Sequence, residues 1–300
     1  MSFVDSIMDV LRDPPPEFAF EVAASGIAMS RTRPPASLQH AALNPGVIAP
    51  SPVRENILDP AAFAAAVRKL VPNPGARGKR KAALILPDSC VRLAVLDFDS
   101  LPAKEEERRP LINFRLRKSV PFDIDEAALS YYPQGKKVLV AVTPAEIIAH
   151  YEAPFRAAGL HPGLITVSSL AIIDLLPNTA SVVLAHRSPG ALTVLGLNHG
   201  VVTIARTLEI SEEGDPLEEV VAAIFPTLAY IEDNEGARPS RLFVTGFEEE
   251  TEDARIRLSM ELEIPVDAIE ERFPGLAGYL MAIHPPKTGQ PLKEISQTAA

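Results

Sequence analysis

Apolar positions alternate with others over Phe18–Val22 and again over Ile27–Arg31, around Ala23-Ala24-Ser25-Gly26. A period of two broken by small turn residues predicts a strand hairpin. From Pro34 to Pro60 the chain is rich in proline, with Asn44-Pro45-Gly46 as a turn, and reads as an excursion over the surface. The rhythm then changes: Phe63, Val67 and Leu70 fall on one helical face. Asp59 is placed to cap that helix, Pro60 to occupy its first turn and Pro72 to end it.

The stretch from Leu84 to Ile165 carries the densest pattern. Leu84–Leu86 and Val91–Leu96 read as two strands, and Ile112, Leu116 and Val120 continue one helical face behind Glu105-Glu106-Glu107. Acidic residues suit the positive end of the helix dipole. Pro110 is tolerable only in a first turn, so the helix is expected to start later than the acidic run. Ala127–Tyr132 and Val138–Val142 pair as strands around Gln134-Gly135-Lys136-Lys137. A helix follows from Pro144, with Thr143 as cap, Ile147, Tyr151, Phe155 and Ala158 inward, a kink at Pro154 and Gly159 at its end. This block reads as a compact α+β module inserted into a larger α/β frame.

Beyond it the frame resumes. Ser181–Ala185, Ala191–Leu197 and Val201–Leu208 read as strands, the last two joined by Asn198-His199-Gly200. A long helix spans Pro216 to Glu235, followed by the strand Arg241–Thr245, a charged helix over Glu252–Glu261, an edge segment at Val266–Ile269 and a final apolar helix over Leu276–Ile283. Residues from Pro285 read as a polar tail. At the other end, Phe3, Val4, Ile7, Met8 and Leu11 give a short amphipathic helix stopped by Pro14-Pro15-Pro16. Asp5 and Asp9 interrupt it and no basic stretch precedes it, so it does not read as a signal peptide.

Composition narrows the chemistry. A net charge of −10 over 300 residues argues against general nucleic-acid affinity, which needs clustered cations to displace counterions. One cysteine, Cys90, excludes an internal disulfide and a cysteine-built metal site, and it reads as a buried structural thiol. No segment has the ~18 apolar residues of a membrane span, and the chain is expected to be cytoplasmic. Gly75-Ala76-Arg77-Gly78-Lys79-Arg80-Lys81 has the wrong glycine spacing for a phosphate loop, with Arg80 where a hydroxyl would meet the metal. The six histidines form no paired metal-ligand motif, and Ser168-Ser169 lacks the glycines of a nucleophile elbow. No catalytic constellation emerges.

The order of elements resembles the actin-like (ribonuclease H-like) superfamily, an α/β frame of two subdomains. The block resembles that of the PilM family of type IV pilus assembly proteins, relatives of FtsA. Leu86-Pro87-Asp88, Val91–Leu96, Ser119-Val120-Pro121-Phe122-Asp123, Tyr131-Tyr132, Val140-Ala141-Val142-Thr143-Pro144 and Ala157-Ala158-Gly159-Leu160 carry the resemblance. It implies a first subdomain beginning at residues 17–82, an inserted module at 83–165, a second subdomain with closing helix at 166–284 and a tail at 285–300.

It also implies a cleft in which ATP and magnesium bind between two hairpin turns. Here those turns depart from the pattern. Glu21 stands where aspartate is expected and Ala23 where glycine is, leaving Ser25 and Gly26. The second turn, His186-Arg187-Ser188-Pro189-Gly190, has no carboxylate, and Gly246 is followed by Phe247. A degenerate cleft without ATP turnover is therefore expected, with no cofactor; His186 and Arg187 read as a solvated turn pair. The resemblance further implies a scaffold at the inner membrane, held there by the cytoplasmic tail of a PilN-like protein and in contact with other pilus assembly proteins. That tail would lie in a groove between the module and the first subdomain, near Arg117, Phe122 and Tyr131. The competing expectations are an ATPase working through Glu21 and the cytoplasmic platform of a type II secretion system.

Overall fold

The computed structural model describes residues 14–33, 37–72, 80–211, 215–236 and 238–285. The amphipathic segment at Phe3–Leu11, the loop at Gly75–Lys79 and the tail after Pro285 lie outside them.

In chain order the elements are β1 (Phe18–Ala23), β2 (Gly26–Arg31), β3 (Gln39–Ala42), α1 (Pro60–Leu70), β4 (Arg80–Leu86), β5 (Arg92–Asp97), α2 (Glu105–Leu116), β6 (Ala127–Gln134), β7 (Lys137–Pro144), α3 (Ala145–Ala157) and β8 (Leu160–Val167). They continue with α4 (Ser168–Ile172), β9 (Ser181–Ser188), β10 (Ala191–Asn198), β11 (Val201–Glu209), α5 (Pro216–Glu235), β12 (Arg241–Thr245), α6 (Thr251–Leu262), β13 (Val266–Ala268) and α7 (Pro274–Ile283).

Two five-stranded sheets share one topology. The first runs β3-β2-β1-β4-β8 and the second β11-β10-β9-β12-β13. In each, an antiparallel three-strand meander is extended by two parallel strands. Glu21 pairs with Ala28 two rungs before the first hairpin turn, and His186 pairs with Thr193 two rungs before the second. The two side chains therefore hold equivalent places in the two sheets.

Residues 83–165, expected as one module, divide between two sheets. β4 and β8 pair with each other in the first sheet, and only β5, β7 and β6 form the separate three-stranded sheet. The strands expected at Leu84–Leu86 and Val91–Leu96 consequently do not pair. α3 also serves the frame: Phe155 meets Phe20 edge-on at 5.0 Å between ring centroids, and Tyr151 meets Phe63 at 6.0 Å. Fully burying one such ring stabilises by roughly 2–3 kcal/mol, so these contacts bind α3 and α1 to the first sheet. Thr143 does not cap α3; its hydroxyl donates to the Cys90 carbonyl at 2.6 Å, and Pro144 holds the cap position. Pro110 sits six residues into α2, which does start at the acidic run.

Strand alternation sorts the core. In β9, Val182 and Leu184 join the large cluster that includes Phe20, Leu84 and Leu93, while Val183 and Ala185 face α5 and α6. The opposite face of the first sheet, through Ala19, Ala83 and Ile85, packs on α7 and α4. α7 is thus the last described helix, yet it closes the first subdomain. Gly278 permits this approach, because a Cβ there would stand 2.0 Å from the Ala171 carbonyl oxygen. The module has its own core of Ile112, Leu116, Ile124, Val138, Val140 and Val142.

Candidate functional site

Where the turn after β4 meets β9, between the subdomains, buried polar side chains gather. Glu21, near the end of β1, is 2% exposed. Its Oε1 accepts from the Ser168 hydroxyl at 2.8 Å and the Gly275 N–H at 3.2 Å, and Oε2 accepts from the Leu276 N–H at 2.7 Å. α7 has no side-chain cap of its own at Phe273. Glu21 therefore does for that helix, from across the sheet, what an N-cap side chain does locally, and its charge faces the positive end of the helix. Burial pushes the Glu21 carboxyl up, opposed by Leu276, Ser168, His186 and Gly275.

Asp88 follows β4 in a short 3-10 turn (Asp88–Cys90) and is 1% exposed. Its Oδ1 accepts from the Ser169 N–H at 2.9 Å, and its Oδ2 lies 2.8 Å from Nδ1 of His186. Burial pushes the Asp88 carboxyl up, but the charge of His186 and its hydrogen bond outweigh that and hold it below the usual carboxylate range. Burial likewise pushes the His186 imidazole down, while Asp88 and then Glu21 carry it above its ordinary value. Both shifts favour an ion pair between the subdomains.

His186 is therefore not a solvated turn residue as expected; its strand faces it inward to Asp88. Arg187 is held as well: it donates to Glu250 at 2.6 Å and lies 5.5 Å over the Phe247 ring. The other expected cleft residues have structural roles. Gly26 packs against β3, where a Cβ would stand 2.7 Å from the Ala41 carbonyl oxygen. Ser25 is exposed at the hairpin tip, and its carbonyl accepts from Leu43 at 3.1 Å. Gly246 has φ of +84°, and a Cβ there would stand 2.0 Å from the Arg187 carbonyl oxygen. Every oxygen of Glu21 and Asp88 accepts from or pairs with a protein group. Among the described residues no group of three or more His, Cys, Asp or Glu is arranged to hold a metal ion.

Cys90 is buried, and burial followed by the Asp88 charge pushes its thiol up. That matches the structural role expected of it.

Asp88 appeared in the sequence only as part of a strand-end pattern. A carboxylate one proline beyond the apolar run Ala82–Leu86 was the available signal, since a charge entering a core needs a partner. Its partner, 98 residues away, had no local mark.

The residues expected at a partner groove separate. Arg117 is exposed and makes a bidentate pair with Asp125 at 2.8 and 2.9 Å. Phe122 and Tyr131 are half-buried against the module core. Arg117 lines an open depression of about 1190 Å³ along the outer face of α2, with Arg109, Pro110, Asn113, Phe114 and Asp125. Phe114 is 71% exposed there. The module also reaches the second subdomain: the Gln134 side chain donates to the Val202 carbonyl at 3.1 Å and accepts from the Val202 N–H at 3.0 Å.

Neither models of known protein families nor curated protein sequences give a match to this chain. Solved structures do. The PilM-PilN type IV pilus biogenesis complex matches with TM-score 0.69 at 16% identity, over 90% of this chain and 97% of that one. A protein of actin-like ATPase fold and unknown function from Bacteroides thetaiotaomicron matches with TM-score 0.56 at 11% identity, over 88% and 95%. The chain thus has the actin-like fold expected of it. The cytoplasmic domain of EpsL, an inner membrane component of the Vibrio cholerae type II secretion system, follows at TM-score 0.48 and 10% identity, over 76% and 80%. No helix among the described residues is long and apolar enough to cross a membrane.

Proposed function

We propose that this chain is a cytoplasmic scaffold of type IV pilus assembly, one that binds the cytoplasmic tail of a PilN-like inner-membrane protein and does not turn over ATP. The observation that carries the second half is the use of Glu21 and Asp88. One caps α7 and the other pairs with His186, so both carboxylates serve the chain's own structure. The first half is supported by likeness to the PilM-PilN complex over nearly the whole of both chains. Tail binding then places the chain at the inner membrane, beside the other assembly proteins, through its partner.

The docking position put to the test is the depression on α2. An exposed aromatic beside a charged rim suits a short peptide, whose binding is dominated by a few anchoring side chains. Phe114→Asp and Arg117→Glu should each weaken tail binding about tenfold or more, equivalent to about 1.4 kcal/mol. Both side chains are exposed, and a surface ion pair such as Arg117–Asp125 adds at most about 1 kcal/mol. Folding should therefore be kept. Unchanged affinity in both variants would remove the tail from this face and return it to the seam between the module and the first subdomain.

The competing ATPase reading has Glu21 as its acidic group. Tight Mg-ATP binding with turnover lost in Glu21→Gln would favour it over the scaffold.

A further inference from the structure

The second subdomain meets the first across an apolar seam, Val182 and Leu184 lying in one cluster with Leu86, Val91 and Leu93. One ion pair interrupts that seam. Asp88 comes from the first subdomain and His186 from the second, and both side chains are almost wholly enclosed. Beside them the Ser89 and Ser188 hydroxyls lie 3.4 Å apart across the same boundary. Two charges placed in an apolar contact add little net stability, since desolvation offsets their attraction. What such a pair does supply is dependence on its own protonation.

We propose that Asp88 and His186 form a protonation-dependent latch that holds the two subdomains closed from within, without a bound ligand. His186 acts as a tethered cation at the position in the second sheet that Glu21 holds in the first. The charged and titratable groups around it are few. Glu21 faces it from β1, and Asp88 and Cys90 lie in the turn after β4. Its neighbours in register on β10 and β12 are the uncharged Thr193 and Thr245. The adjacent Arg187 is engaged by Glu250.

Loss of the imidazole charge leaves two enclosed carboxylates, Glu21 and Asp88, with no cation between them. A neutral imidazole still donates one hydrogen bond, so the latch loosens without the subdomains separating completely. The His186 contribution is raised in the folded state. It is therefore complete below the ordinary histidine range and lost as pH rises through the elevated folded value. Asp88 is lowered, so its contribution is present above the ordinary carboxylate range and lost as pH falls through the depressed one. Closure is firmest between those limits.

The proposal extends the scaffold reading, in which no nucleotide competes for these side chains, and its test uses no tail peptide. Amide hydrogen exchange of the intact chain is followed from pH 6 to 9.5 with the intrinsic pH dependence removed. Segments at Ser169, His186–Ser188 and Thr245–Phe247 should exchange at least about tenfold faster at the alkaline end, while α5 and α6 stay unchanged. His186→Gln should exchange fast in those segments throughout the range. Should that variant not fold, the wild-type profile and the His186 titration by NMR decide alone. A flat corrected profile, an ordinary His186 titration, or a His186→Gln chain as protected as wild type would each overturn the latch. Failure of tail binding would overturn the scaffold reading and leave the latch standing.

Discussion

Replacing Glu21 by alanine separates a structural carboxylate from a catalytic one. Its oxygens receive the Gly275 and Leu276 N–H groups and the Ser168 hydroxyl, all in a site 2% exposed. Truncation leaves two buried N–H donors unmet, while the Ser168 hydroxyl still has the Leu86 carbonyl at 3.4 Å. Each such group costs about 1–3 kcal/mol, and loss of an N-cap side chain by itself costs about 0.5–2 kcal/mol. Relief of the enclosed carboxylate, whose ionisation burial already opposes, returns part of that. The balance is a loss of about 3 kcal/mol. Glu21→Gln keeps one accepting oxygen but turns its amide NH2 toward the donors of the other, leaving at least one of them unmet, so it should cost about 1–3 kcal/mol and no more than alanine. Urea denaturation monitored by far-UV circular dichroism at pH 7 measures both variants, with unchanged slope as the condition for comparison. A catalytic acid held in a strained or repulsive site behaves oppositely, because its removal commonly stabilises the fold. Glu21→Ala as stable as wild type, or more so, would refute the capping role.

Two other substitutions test neighbouring parts of the account. Gly246→Ala combines a positive φ of +84° with a Cβ 2.0 Å from the Arg187 carbonyl oxygen. It should lower stability by at least about 2 kcal/mol, seen as a drop in Tm whether or not nucleotide is present. Burial pushes the Asp174 carboxyl up to about 7. The folded chain then holds a proton that the unfolded chain releases between about pH 4 and pH 7, and stability falls as pH rises through that window. Asp174→Asn should be more stable than wild type by about 1–3 kcal/mol at pH 8 and equal to it near pH 4, measured by denaturation at the two pH values.

The hairpins and long helices were legible because their rhythm is local. Phe18–Val22 alternates cleanly, and Pro60 and Asp59 mark the start of α1 as expected, with Asp59 accepting from the Ala62 N–H at 2.9 Å. β3 was not legible: in Gln39-His40-Ala41-Ala42 only Ala41 is buried, so no apolar rhythm marks it. β8 contains Pro162 and Gly163, which read as breakers, and its pairing with β4 shifts register at Ala82/Ala83. An edge strand tolerates both. The site was half legible. Glu21 stood out against the turn pattern, but its partners lie 147 to 255 residues away. The Asp88–His186 pair is likewise a product of how two sheets face each other, which no spacing within either sheet encodes.

A partner-binding scaffold whose cleft is held by its own side chains should bind its tail without nucleotide. Calorimetric titration of the chain with a PilN-type cytoplasmic tail peptide, without nucleotide and then with Mg-ATP, tests it most directly. The account predicts saturable binding at tens of micromolar or tighter, about −6 kcal/mol or better, with the same affinity in both titrations and no heat of Mg-ATP binding. Absence of tail binding at those concentrations, or binding that requires Mg-ATP, would contradict it.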